Sequence, residues 1–204
     1  MNNSVLVISD LHIPYHHQDA FDFLKALKRK YKPDLVVNIG DELDHHAISM
    51  HEHNPDLMSA GDELKHSKEY VRELEKIFPE MTLVHSNHSS LVYRRALKYG
   101  LPKDYLKSYN EFLGVGDGWK WVDDYTITLS DGSRCFFTHG ISADVLKVAA
   151  QYGMNTVQGH FHTKFSIGYF SNPDALIWGM QVGCLINQKS MAFDYAKNFK
   201  SRFI

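Results

Sequence analysis

Cysteine and long apolar runs are both scarce in this chain. Cys135 and Cys184 are the two cysteines in 204 residues. Both lie in apolar segments, which argues against a disulfide framework or a thiolate metal site and for two reduced, buried thiols. No apolar run approaches the ~20 residues that span a bilayer. Val5–Ile8 is too short for the apolar core of a secretory signal, and Asp10 interrupts it. A cytoplasmic protein that does not enter a membrane is the expectation. An excess of one charge is also missing, since 22 Lys and Arg face 24 Asp and Glu, a net charge of -2. That argues against a broad basic surface for long nucleic acids and leans toward a small or short substrate, while leaving room for a local basic patch.

Histidine, by contrast, is abundant, at 13 residues. The apolar fraction of 44% and charged fraction of 23% describe an ordinary globular domain. With no repeat, low-complexity tract or linker, residues 1–204 read as one domain.

Short β-branched runs at 4–9 and 35–39 read as buried strands. Between them Phe21, Leu24, Leu27 and Tyr31 recur at helical spacing, and Pro33 ends that helix. This βαβ pattern implies parallel strands with functional loops at their carboxyl ends. A long helix is predicted over 61–78, a third strand over 81–85, and short helices over 91–99 and 102–109. Residues 114–124 read as a connection, and 89–124 as a cap-like helical insertion. Then come a hairpin over 125–138 turning at Asp131-Gly132, a helix over 144–152, and strands over 155–158, 164–170 and 175–182. A βαβ half followed by a β-rich half suggests two packed sheets with helices outside.

Five motifs follow apolar runs in order: Asp10-Leu11-His12, Gly40-Asp41-Glu42-Leu43-Asp44, Asn87-His88, His139-Gly140 and Gly159-His160-Phe161-His162. Singly they have ordinary explanations, such as a turn cap at Asp10. Jointly they supply carboxylate, amide and imidazole donors enough for two cations ~3.5–4 Å apart. Hard oxygen mixed with imidazole suits manganese, iron or zinc better than calcium. Asp41, with two oxygens, can bridge two ions.

This ordered set resembles the DxH, GDxxD, NH, H, GHxH signature of the calcineurin-like metallophosphoesterases, spanning Asp10 to His162. The resemblance implies an α/β, four-layer αββα sandwich of two mixed β-sheets with the metal site at one edge. It implies one metal on Asp10, His12, Asp41 and His162, and a second on Asp41, Asn87, His139 and His160. The ions would be two divalent transition metals, manganese first, with iron, zinc, nickel or cobalt as alternatives. His88 would be the catalytic acid, oriented by Asp44. The implied activity is phosphoester hydrolysis by a metal-activated water, as a phosphodiesterase, nuclease or nucleotide phosphatase. A phosphoprotein phosphatase or a non-catalytic scaffold on the same fold is the alternative.

Two departures stand out. Many relatives read Gly-Asn-His followed by an acid, where this chain has Ser86-Asn87-His88-Ser89. The protein phosphatase branch has Arg-Gly where this chain has His45-His46, which lowers the case for a phosphoprotein substrate. The chain is most similar to compact stand-alone members from bacteria and bacteriophages. Candidate substrate contacts are His45, His46 and Arg94, with His51 and His53 in the same loop as the first two. Tyr93, Tyr99, Tyr105, Tyr109, Phe112, Trp119 and Trp121 could stack on a base, although core packing is the commoner use of such residues.

Overall fold

The computed structural model describes residues 4–50, 54, 56–171, 173, 175–190 and 192. The first sheet contains β1 (Val5–Ile8), β2 (Leu35–Asn38), β3 (Met81–Val84) and β4 (Trp119–Val122), side by side in that order. All its pairings are parallel. The second sheet holds β5 (Tyr125–Thr128), β6 (Arg134–Thr138), β7 (Asn155–Gln158), β8 (Phe165–Ser171) and β9 (Leu176–Val182), ordered β5-β6-β7-β9-β8. It pairs antiparallel at both edges and parallel between β6, β7 and β9. Of the two sheets expected to be mixed, only the second is so among the described residues.

Strand alternation sorts the side chains into layers. Val5, Val7, Val37 and Val84 face Phe137, Val157, Trp178 and Met180 of the second sheet. Leu6, Ile8, Val36 and Leu83 face α1 (Ala20–Tyr31) and α2 (Ala60–Ile77), through Phe21, Leu24, Val71 and Leu74. The helix α5 (Val145–Tyr152) covers the far side of the second sheet, with Val145 against Gly179 and Leu146 against Gly168. The layer order is therefore α, β, β, α.

The stretch 89–124 differs from expectation in two ways. The helix predicted over 102–109 is instead a 3-10 turn at Lys103–Tyr105, followed by α4 (Tyr109–Leu113), after α3 (Leu91–Lys98). Ser108 sets that break, because with Glu111 it forms a capping box that starts a new helix. The expected connection contains β4, whose Trp119 pairs with Met81 and is 1% exposed. The stretch is thus the β3–β4 crossover of the first sheet, with its last strand in the core. Tyr109, Phe112, Trp119 and Trp121 pack there as core, Tyr109 stacked on Trp121 at 5.1 Å.

Cys135 and Cys184 are buried thiols outside any disulfide, and burial pushes both up to about 12. Among the described residues no helix is long and apolar enough to cross a membrane.

Candidate metal centre

Each motif leaves a strand that is paired in parallel: Asp10 after β1, Asp41 after β2, His88 after β3, His139 after β6 and His160 after β7. Loop backbones lock together there, with Asp10 N donating to the Gly40 carbonyl at 3.1 Å and His12 N to the Asp41 carbonyl at 2.8 Å. His139 Nδ1 meets the Ile39 carbonyl at 2.9 Å and so joins the two sheets.

The backbone is strained where the donors sit. Asp10, His12, Asp41 and His160 all have positive φ, at 50°, 50°, 51° and 68°. Such conformations cost non-glycine residues ~1–3 kcal/mol each and cluster at functional sites. Two glycines make room. A Cβ on Gly40, itself at φ 101°, would lie 2.6 Å from Ser86 Cβ, and one on Gly159 would lie 2.5 Å from Asp10 Oδ2.

Among the described residues the donors form three groups: His12, Asp44 and His88 make one, and the other two share Asp41. Ligand atoms of Asp10, His12, Asp41 and His162 lie within 4.8 Å of one another, as do those of Asp41, His139 and His160. Asp41 Oδ2 stands 3.5 Å from His12 Nε2 and 3.1 Å from His139 Nε2. His162 Nε2 lies 3.0 Å from Asp10 Oδ1 and 3.1 Å from His12 Nε2. His139 Nε2 lies 3.1 Å from His160 Nδ1.

Chemistry says what this convergence fits. His139 Nδ1 faces a carbonyl, which only accepts, so that nitrogen carries the proton and Nε2 presents a lone pair. His12 Nδ1 faces the Asp44 carboxylate at 2.6 Å, so its Nε2 is likewise a lone pair. Lone pairs of imidazoles and carboxylates then point at one another inside a buried space, an arrangement that divalent cations satisfy. Without cations, protons take their place. Burial opposes charge on His12, but hydrogen bonds to Asp10 and Asp44 outweigh it and push the imidazolium up to about 10. Burial is likewise outweighed at His139, where the Asp41 charge and hydrogen bond raise it to about 9. Asp10 and Asp41, despite burial, are held well below the usual carboxylate range by the surrounding histidines. Burial, then the neighbouring His139, lowers His160.

Around these donors the structure departs from expectation at Asp44. Its carboxylate binds His12, while His88 Nδ1 is held by the Asp44 backbone carbonyl, with the carboxylate oxygen 3.6 Å away. His88 N–H donates to Asp41 Oδ1 at 3.1 Å. Asn87 is exposed beside this group, and its carbonyl accepts from Arg94 Nη2 at 2.5 Å.

The other substrate candidates divide. His46 is 4% exposed, its backbone N–H bound to Glu63 and its Nε2 accepting from Asn54 N–H, so it serves the loop rather than an open cavity. His45 sits at φ 54° with Nε2 buried and unpartnered in the described structure, and burial holds it down at about 4. His51 and His53 lie outside the described residues.

Sequence reasoning missed three serines. Ser86 Oγ accepts from Asp41 N at 2.9 Å and Ser89 Oγ accepts from Ser86 N at 2.8 Å, so two hydroxyls brace the loops that carry Asp41 and His88. Ser9 Oγ donates to Asp10 Oδ2. The only sequence signal was their position beside the motifs.

A family model for calcineurin-like phosphoesterases matches residues 4–178. No curated protein matches the chain. Among solved structures, Vps29 of Chaetomium thermophilum is 15% identical with a TM-score of 0.47, over 88% of this chain and 70% of that one. A second is 13% identical with a TM-score of 0.38, over 97% of this chain and 80% of that one. With most of its length matched, and the donors gathered as above, the chain belongs to the calcineurin-like phosphoesterase family.

Proposed function

We propose that this protein hydrolyses phosphoesters with two divalent cations, and that a phosphodiester of a nucleotide or nucleic acid is its substrate. The observation that carries the reading is the shared carboxylate, Asp41 Oδ2, at 3.5 Å from one histidine nitrogen and 3.1 Å from another. Asp10, His12, Asp41 and His162 would hold one ion, and Asp41, Asn87, His139 and His160 the other. Two such ions supply Lewis acidity and ionise a water near neutral pH. Manganese heads the candidates because carboxylate and imidazole are mixed, with iron, zinc, nickel and cobalt behind it. The cytoplasm is the proposed compartment.

The chain's own residues then orient and protonate. The Asp44 carbonyl accepts from His88 Nδ1–H, so a protonated His88 ring would deliver its second proton, the one on Nε2, to the leaving oxygen. The hydrogen bond from His88 N to Asp41 keeps that ring next to the shared carboxylate. Arg94, bound to the Asn87 carbonyl, is a candidate cation for a substrate phosphate, and the unpartnered Nε2 of His45 is a candidate donor or acceptor to substrate.

Hydrolysis of p-nitrophenyl phosphate and bis-p-nitrophenyl phosphate, with manganese or EDTA, tests the reading in wild type and Asp41→Asn. Manganese-dependent turnover, faster on the diester and lost in Asp41→Asn, is expected. Two tightly bound metals with no turnover of any ester or natural nucleotide would replace the enzyme with a binding scaffold.

A further inference from the structure

Charge that the chain balances overall is unbalanced between Arg94 and Lys107. This stretch has Arg94, Arg95, Lys98, Lys103 and Lys107 against one acid, Asp104. Arg95 is engaged by the carbonyls of Ile48 and Ser49. The three lysines are exposed. Among the described residues the lysine ion pairs are those of Lys25, with Asp22 and Glu73; Lys98, Lys103 and Lys107 make none, although the charge of Lys107 reaches Glu111. The nearby carboxylate of Glu111 is occupied by Ser108 N and Oγ at 2.8 and 2.7 Å.

Aromatic and apolar side chains stand in water between these cations. Tyr99 is 74% exposed, Tyr105 78%, Leu97 60% and Leu101 45%. Core packing does not account for them, because Tyr109, Trp119 and Trp121 fill that role nearby. Lys103 Nζ lies 5.6 Å over the Tyr93 ring, so cation and ring already meet on this surface.

The stripe also begins at the candidate metal centre. Arg94 Nη2 binds the Asn87 carbonyl, and α3 starts just after His88. Arg94, Leu97 and Lys98 share one helical face. The eight residues of α3 span about 12 Å, the length of about three to four stacked nucleotides.

We propose that this stripe is the track for a single-stranded nucleic acid whose cleavable phosphate enters the metal centre. Unpaired bases stack on Tyr99 and Tyr105, and backbone phosphates meet Arg94, Lys98, Lys103 and Lys107. The track rests on the phosphodiesterase reading above and narrows its substrate class. Stacking on tyrosine accepts any base, and a duplex, whose bases are already stacked, gains nothing from it.

The test uses fluorescein-labelled dT12 and the full, manganese-loaded chain. Initial anisotropy reads binding, and its decay reads cleavage. Affinity should fall with salt at a log–log slope of about -2 to -3, from roughly 0.7 per phosphate on three or four cations. Tyr99→Ala and Tyr105→Ala should each weaken binding about tenfold. Lys98→Glu with Lys103→Glu should flatten the slope by about 1.4. Lys30→Glu, on α1, should leave binding unchanged. A dT12·dA12 duplex should bind more weakly than dT12.

No salt-sensitive binding at protein concentrations up to about 100 μM overturns the track, and leaves the stripe to an acidic protein partner. Binding indifferent to both tyrosines, or stronger for the duplex, overturns it too. Turnover of bis-p-nitrophenyl phosphate by the same preparation separates the two readings. Turnover without dT12 binding sinks the track alone, whereas dT12 binding with no hydrolysis of either compound sinks the hydrolase and leaves the track as a binding surface.

Discussion

The Asp44 carboxylate lies 2.6 Å from His12 Nδ1, and both side chains are almost wholly buried. A carboxylate in that position fixes the imidazole tautomer and raises its basicity as a ligand. Asp44 thereby acts on two histidines through two different atoms: the carboxylate serves His12, and the backbone carbonyl serves His88.

Asp44→Asn separates these two duties, because it changes the carboxylate and keeps the carbonyl. Manganese affinity at the His12 site should fall ~10–100-fold, the usual effect of losing such a partner. Excess manganese should then restore kcat, since His88 keeps its own hydrogen bond. Calorimetric titration with manganese and activity at saturating metal are the measurements. A kcat that stays low at saturating manganese would mean that the carboxylate acts on His88 after all.

His88→Ala should retain both metals and lose rate by ~10²–10⁴ on an alkyl phosphodiester, whose leaving group needs a proton. Loss on a p-nitrophenyl ester should be much smaller, because that leaving group departs without one. Metal content and the ratio of the two rates are the readouts. Equal losses on both esters would remove His88 from the proton-donating role.

Much of this site was legible in the sequence because metal chemistry confines its donors to few residue types. Parallel strands then deliver those donors to one end of the sheets. Asp10, His12, Asp41, His139, His160 and His162 could be named before any coordinate, and the structure gathers them into two groups. Asp44 illustrates the limit. Which histidine its carboxylate would choose depends on how two loops cross, and the crossing is set by backbone bonds such as His12 N to the Asp41 carbonyl. Trp119–Val122 shows a second limit. Four residues between glycine and aspartate look like loop, and their strand character comes from pairing with Met81–Val84, far away in sequence. The exposed Tyr99 and buried Tyr109 show a third, since composition alone did not separate surface aromatics from core ones.

Glu63 sets a pH dependence away from the metal ligands. It is 3% exposed, and it accepts from His46 N at 2.7 Å and Ala47 N at 2.9 Å. Burial nonetheless raises its carboxyl from the usual 4.5 to about 7, against those two donors. A carboxyl whose folded value is raised favours the fold below pH 4.5, and loses that contribution as pH climbs through 7. Glu63→Gln cannot ionise. The melting temperature of the variant minus that of wild type, measured in EDTA, should therefore rise between pH 5 and pH 8. By linkage the change is about 2–3 kcal/mol, or roughly 5–10 °C for a chain of this size. A difference that falls with pH would mean that the two N–H groups win and Glu63 is a buried carboxylate.

Gly159→Ala tests how tightly the centre is packed. The backbone at Gly159 lies outside the positive-φ region, so alanine meets no conformational penalty there and the effect is one of space. Its Cβ would stand 1.9 Å from Ser9 Oγ and 2.5 Å from Asp10 Oδ2. Ser9 can rotate away, but it then releases the hydrogen bond that steadies Asp10. Asp10 can move only by leaving His162 and the backbone N–H of His160, at 3.0 and 2.9 Å. The alternative is for the whole loop to retreat, and it carries both histidines with it. Every relaxation opens the first ion's donor group, so metal content should drop from two ions to one or none and diester hydrolysis should disappear. Adding Ser9→Ala removes the nearest clash and leaves the second, so it should recover part of the metal content at most. Two retained ions and undiminished turnover in Gly159→Ala would show that the loop has slack, and that the close approach of Gly159 to Asp10 does not hold the centre together.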